Sequence, residues 1–171
     1  MLASIELPVL NGIQAVFRCQ ILDRLLPAVS RLCDHGEIWI LLAVILLAVP
    51  RTRRAGLALS CALLLELTAC NLILKPLFGR ARPFTLAPEL ELLVHPPGDP
   101  SFPSGHTAAS FASAWALRQS GSPLWRPALA LAAVIAFSRL YLFVHWPSDV
   151  LGGILLGMLT GWLGAKAVEL S

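Results

Sequence analysis

The sequence predicts an all-α integral membrane protein. It would be a bundle of about five transmembrane helices, with N-terminal amphipathic helices and a short interfacial cap segment. Three observations carry that prediction. The 171 residues are 57% hydrophobic and only 13% charged, against roughly 45–50% and 25% in soluble domains. Mean hydropathy is +0.74. Apolar runs recur along the chain, parted by short turns rich in arginine, glycine and proline. The length fits one membrane-embedded domain, 1–171, with interfacial helices over 1–34 and the helical bundle over 35–171.

The same composition limits function. A net charge of +3 is small and scattered, so nucleic acid is not an expected partner; in a membrane protein a basic balance reports orientation instead. Cys19, Cys33, Cys61 and Cys70 form no C-x-x-C pair and read as apolar packing residues, with no disulfide or metal implied. No Lys or Arg precedes Arg18, and no short apolar core with a cleavage site follows the start. A removable signal peptide is therefore not predicted.

In residues 1–34, Leu10, Ile13, Val16 and Phe17 repeat at helical spacing, as do Leu22, Leu25 and Leu26, with Arg18, Asp23, Arg24 and Arg31 between them. This pattern fits helices lying at the interface, or packed on the bundle's flank. The first span runs from about Gly36 to Thr52. Its uninterrupted apolar run, Ile38 to Val49, falls short of the roughly 30 Å hydrocarbon layer at about 1.5 Å per residue. Glu37 and the snorkelling Arg51, Arg53 and Arg54 must extend it. The second span, about Ala55 to Leu74, carries Glu66 and Asn71. Glu66 could act as an acid, but a neutral or hydrogen-bonded packing role is preferred.

Lys75 to Pro103 is too polar and proline-rich to span, yet it holds Leu90, Leu92, Leu93 and Val94. It is expected to cap the bundle at the interface, with one short helix near Pro88 to Val94. The third span starts near Ser104 and is rich in alanine and serine, as suits a helix packed closely at a bundle's centre. The fourth, about Pro127 to Val144, delivers Arg139 and then His145. The fifth, about Asp149 to Val168, has Gly153, Gly157 and Gly161 at four-residue intervals. That stripe could support a homodimer, but close packing within the bundle is the preferred use.

Arg51, Arg53, Arg54, Arg118, Arg126 and Lys166 fall at one end of such a bundle, which the positive-inside rule makes cytoplasmic. The opposite, extracytoplasmic end collects Lys75, Arg80 and Arg82, then Ser104, Gly105 and His106, then Arg139, His145 and Asp149. Cations kept beside apolar walls, against the rule, demand an anion. Phosphate fits, because guanidinium groups match its oxygens two at a time. Ser104 and Gly105 at a helix N-terminus would add N–H donors and the positive end of the helix dipole.

His145 and Asp149 are four apart, with Pro147 suited to a helix's first turn. Asp149 can brace one ring nitrogen and leave the other as a free lone pair for a nucleophile or base. Taken alone, the segment fits equally an interfacial histidine satisfied beside a helix cap. His106 is the candidate to protonate a leaving oxygen. No carboxylate cluster is present that would hold magnesium, so neither a metal nor another cofactor is expected.

At these residues the chain resembles the type-2 phosphatidic-acid phosphatase superfamily. Lys75, six residues, then Arg82-Pro83 match its first motif. Pro103-Ser104-Gly105-His106 match its second. Ser138-Arg139, five residues, His145, three residues, then Asp149 match its third. The resemblance implies a metal-independent phosphatase of membrane lipids. His145 would form a phosphohistidine, oriented by Asp149, and His106 would serve as general acid and then base. Lys75, Arg82, Ser104, Gly105 and Arg139 would hold the phosphoryl oxygens. Arg80, outside the motif, would meet only headgroup or solvent.

With an extracytoplasmic site in a bacterial plasma membrane, the resemblance favours undecaprenyl diphosphate as substrate, then phosphatidylglycerophosphate or phosphatidate. Two rival classes are an intramembrane serine hydrolase using Ser104 with His106, and a non-enzymatic lipid-phosphate binding or transport protein. The cations suit phosphate better than a peptide carbonyl, which weighs against the first. Binding alone needs no His145–Asp149 pair, which weighs against the second.

Overall fold

Helices account for nearly all of the regular structure. The computed structural model describes residues 2–87 and 89–170, and no strand occurs among the described residues. The elements are α1 (Leu2–Phe17), α2 (Gln20–Arg31), α3 (Glu37–Ala48), α4 (Arg53–Leu67), α5 (Lys75–Phe78), α6 (Gly105–Gln119), α7 (Trp125–Tyr141) and α8 (Pro147–Glu169). A π-helical stretch, Thr68–Leu74, joins α4 to α5 without a break, and a 3₁₀ turn covers Pro83–Leu86.

Among the described residues, two stretches are long and apolar enough to cross a membrane: Arg53–Leu86, which includes its trailing turns, and Pro147–Glu169. α3, α6 and α7 are shorter, at 12, 15 and 17 residues. The five expected spans thus correspond to five packed helical segments, two of which meet the length requirement. The expected cap helix does not form. Residues 89–94 are turn, bend and irregular chain, the helical turn falls earlier at Pro83–Leu86, and Pro88 lies outside the described residues. Pro96 and Pro97 stop any helix here from running on past His95, and the two turns left are too short to hold on their own.

α6 stands at the centre, touching α4, α7 and α8. Its small residues allow this: Ala108, Ala112 and Ala116 are fully buried. The Gly153, Gly157 and Gly161 face of α8 lies directly on α6. A Cβ on Gly157 would stand 2.4 Å from Ala108 O and 2.8 Å from Ala112 N. Gly164 meets α4 in the same way, 2.5 Å from Ala62 N. The stripe is used inside the bundle. Gly157→Leu should therefore destabilise by about 3 kcal/mol or more, because backbone on the facing helix cannot yield. Thermal unfolding in detergent would show it. Gly12→Ala is the control, since a Cβ there meets nothing within 4 Å.

α1 and α2 pack on the bundle's flank at the end where α7 runs out. Leu10 is buried against Phe143 and Trp146, and Leu26 against Tyr141, Leu142 and Val144. The Tyr141 hydroxyl donates to Asp23 Oδ1 at 2.6 Å, and Gln14 donates to the Tyr141 carbonyl. The first 34 residues are thus fastened to the turn that carries His145.

Candidate active site

The site forms where the chain's polar turns meet at one end of the bundle. α4, its π-helical extension and α5 bring Lys75. The following turn brings Arg82, α6 begins at Gly105 and His106, α7 brings Arg139, and the α7–α8 turn brings His145. Phe143 in that turn has φ 61°. This left-handed backbone, uncommon for a bulky residue, reverses the chain between the two helices. Lys75, Arg82, Gly105, His106, Arg139 and His145 all line one cavity of about 1080 Å³. From this polar end the cavity extends along an apolar wall, with Ile40, Val44 and Leu47 from α3 and Leu63, Leu64 and Leu67 from α4.

His145 is 2% exposed. Its Nε2 lies 3.3 Å from Arg82 Nη1, which places the lone pair on Nε2 and the proton on Nδ1. Nδ1 faces Asp149 Oδ2 at 3.6 Å and Ser101 Oγ at 3.5 Å. The first distance is long for a hydrogen bond, as such pairs often are without substrate. Ser101 Oγ also donates to Asp149 Oδ2. Asp149 sits at the third position of α8, and its Oδ2 accepts the Trp146 N–H at 2.8 Å, which closes the helix start. Burial, with the charges of Arg139 and Arg82, pushes the His145 imidazole down to about 3 against the opposing pull of Asp149. It is neutral, with Nε2 available, across the ordinary pH range.

Arg82 is 4% exposed and fully engaged. Nε donates to Asp99 O, Nη2 to Asp99 Oδ1 and Nη1 to Val144 O, each at 2.8 Å. Lys75 pairs with the other oxygen of Asp99. Asp99 thus offers one carboxylate oxygen to each cation, the arrangement that two phosphate oxygens would adopt. Desolvation opposes its ionisation, yet Lys75 and then Arg82 pull its carboxyl down to about 2. Nothing in the sequence set Asp99 apart from Glu89 and Glu91, the other acids of the same proline-rich loop.

His106 Nε2 lies 3.0 Å from Asp34 Oδ1, so a residue between α2 and α3 orients the second histidine. Arg139 Nη1 donates to the Ser30 hydroxyl, and its buried Nε has no partner among the described residues. That Nε is a donor ready for an anion. The first 34 residues therefore contribute Ser30 and Asp34 to the cavity itself, a role their amphipathic pattern did not convey.

Two predicted placements differ. Ser104 is fully buried, and its hydroxyl lies 3.0 Å from Thr107 Oγ1. Its N–H donates to Asp149 O at 3.0 Å. It ties α6 to α8 and does not line the cavity, whereas Gly105 does. A Cβ on Gly105 would stand 3.6 Å from Lys75 Nζ, so the bare backbone there lies beside the lysine. Arg80 meets neither headgroup nor solvent alone: its Nη1 donates to Asp149 Oδ1 at 2.5 Å. Glu66 is 4% exposed, lines the cavity, and keeps Oε1 without a partner among the described residues. No group of three or more metal-binding side chains occurs among the described residues.

Known proteins resemble this chain in sequence and in fold. The chain is similar to the undecaprenyl-diphosphatase of Sulfolobus acidocaldarius, at 33% identity over 78% of this chain and 63% of that protein. It spans less than two thirds of that relative's length. Similarity to the decaprenylphosphoryl-5-phosphoribose phosphatase of Mycobacterium tuberculosis is 34% over 77% of this chain and 72% of that protein. Among solved structures, Aquifex aeolicus LpxE superposes with a TM-score of 0.81 at 28% identity, covering 95% of both chains. Residues 55–170 match the model of the PAP2 superfamily, which takes in all three motifs and the whole packed core of α4, α6, α7 and α8. This chain belongs to the PAP2 superfamily.

Proposed function

We propose that the protein is a metal-independent membrane lipid phosphatase that works through a phosphohistidine at His145, with undecaprenyl diphosphate as its substrate. One observation carries the reading: a neutral histidine with an unprotonated Nε2, met by Arg82, lies at a cavity lined by Lys75, Arg82 and Arg139, and that cavity continues along an apolar wall. Phosphate binds at the cations and displaces Asp99, while the lipid chain lies between α3 and α4. Polyprenyl phosphates and diphosphates figure in the names of both curated relatives, which supports this class of chain.

In the first step the Nε2 lone pair attacks phosphorus, and the bond from phosphorus to the leaving oxygen breaks. His106, oriented by Asp34, is the proton donor to that oxygen. The Nδ1 proton faces Asp149, which stabilises the positive charge that develops on the ring. Arg82, Arg139, Lys75 and the Gly105 N–H stabilise the equatorial oxygens. In the second step water attacks the phosphohistidine, His106 takes the water's proton, and the P–N bond breaks to release inorganic phosphate. Ser104 serves by holding α6 on α8, and its hydroxyl reaches substrate only by turning from Thr107. Five helical segments sit in the bilayer, with the arginine-bearing turns cytoplasmic and the site on the extracytoplasmic face.

The test is phosphate release by purified protein in detergent with EDTA present, comparing undecaprenyl diphosphate, phosphatidylglycerophosphate and phosphatidate. Turnover that survives EDTA and is fastest with the polyprenyl diphosphate is expected. Faster release from either glycerolipid reassigns the substrate. Loss of all turnover in EDTA, restored by a divalent cation, would overturn the metal-free mechanism.

A further inference from the structure

Arg80 stands between Lys75 and Arg82 in the chain but does not line the cavity. It approaches Asp149 from behind. Nη1 donates to Asp149 Oδ1 at 2.5 Å and to Ser148 Oγ at 2.6 Å, and Nη2 donates to Glu6 of α1. Glu6 Oε1 accepts the Ser148 N–H at 2.8 Å, and the guanidinium lies 5.4 Å over the Trp146 ring. The Arg80 carbonyl also accepts the Ser101 N–H at 2.8 Å, and the Ser101 hydroxyl is the donor on the other oxygen of Asp149. Oδ1 is therefore fixed by the Arg80 guanidinium, and Oδ2 by the Trp146 N–H together with Ser101, which rests on the Arg80 carbonyl.

The charge around Asp149 makes this arrangement necessary. Asp149 is fully buried, Glu6 is 6% exposed, and His145 is neutral. Arg82 and Arg139 face the cavity side of the imidazole, and Asp99 takes up Arg82 and Lys75. That leaves Arg80 as the cation in direct contact with the Asp149 carboxylate among the described residues. An ionised carboxylate so placed needs a partner whose geometry is itself held. Glu6 supplies that hold from the N-terminal helix.

We propose that Arg80 and Glu6 are positioning residues of the reaction: Arg80 fixes the plane of the Asp149 carboxylate against His145, and Glu6 aims Arg80. The inference rests on the reading of His145 as nucleophile and extends it to a residue outside the three motifs and to one in α1. It assigns the N-terminal helix a part in catalysis without contact with substrate.

Arg80→Gln, Arg80→Lys and Glu6→Gln are compared with wild type in detergent, each first checked for a wild-type melting transition. Arg80→Gln should lower kcat by about 10- to 100-fold, the usual scale for removing a group that orients a working histidine. KM and inhibition by inorganic phosphate should stay within about twofold, because Arg80 does not touch the phosphate site. Arg80→Lys should recover part of kcat, and Glu6→Gln should lower it about threefold to tenfold.

The second arm needs no substrate: carbethoxylation of His145 by diethyl pyrocarbonate, followed by mass spectrometry, should slow in Arg80→Gln and in Glu6→Gln. Should Arg80→Gln fail to fold, the milder Glu6→Gln decides by both readouts. A raised KM or weaker phosphate inhibition at unchanged kcat would make Arg80 a phosphate ligand and overturn the proposal. Unchanged kcat with unchanged modification would reduce the pair to packing. If wild type hydrolyses no lipid offered, the modification arm still decides on Arg80, and only the functional reading falls.

Discussion

His145→Ala should lower phosphate release by at least about 10⁴-fold, the scale on which a covalent catalyst loses its nucleophile. The reason lies in the ring's surroundings. Burial and two guanidiniums keep the imidazole neutral, pushed down to about 3, so Nε2 has its lone pair throughout ordinary pH. On the proposed reading, Arg82, 3.3 Å from that nitrogen, holds the phosphoryl oxygens beside it. The nearby hydroxyls are turned to other partners, Ser104 to Thr107 and Ser101 to Asp149.

The substitution removes a buried side chain, so the variant's thermal unfolding is measured alongside. His145→Gln, closer in volume, serves where the alanine variant is unstable. Rapid acid-free quenching of wild type with radiolabelled substrate should leave a protein label that is labile in acid and stable in base, as a phosphoramidate is. Neither variant should form it. A label on Ser104, or residual release within tenfold of wild type, would place the nucleophile elsewhere.

The convergence of three distant segments was legible because each carries ionisable residues at fixed spacings beside apolar sequence, and the membrane makes such residues conspicuous. The close use of Gly153, Gly157 and Gly161 was legible for a similar reason: a small-residue stripe has few purposes. Asp99, Asp34, Ser30 and Glu6 were not. Each is a single polar residue in a loop or an amphipathic helix, where one more acid or hydroxyl is unremarkable, and only the folded chain sets it against a cation or histidine.

Arg80 was misread because spacing alone does not tell which side of a turn a guanidinium takes. Ser104 rests off the cavity because a residue before a helix can spend its N–H and hydroxyl on packing. The π-helical stretch Thr68–Leu74 left no pattern either. Its hydrogen bonds span one residue more than those of an α-helix, and the apolar run reads the same for both.

Arg82→Lys should lower kcat/KM by about 10²- to 10³-fold, the scale of losing one preplaced donor to transition-state charge. Lysine keeps the charge but not the fork. Arg82 makes contacts in three directions at once, to the Asp99 loop, to the Val144 carbonyl and toward His145 Nε2. A single ammonium can serve one of these. The Val144 carbonyl would lose its donor, and the α7–α8 turn would no longer be tied to the loop that caps it.

Both parameters should therefore move. KM rises because one phosphate ligand is gone, and kcat falls because His145 is no longer held against the phosphorus. The comparison variant is Asp99→Asn, which weakens the anion now holding Lys75 and Arg82. It should lower KM and tighten inhibition by inorganic phosphate, since substrate phosphate no longer displaces a carboxylate held down to about 2 by those cations. If Asp99→Asn instead raised KM as Arg82→Lys does, Asp99 would be the brace that points Arg82 at the substrate. The loop from Ala87 to Pro103 would then be part of the binding surface and no longer its competitor.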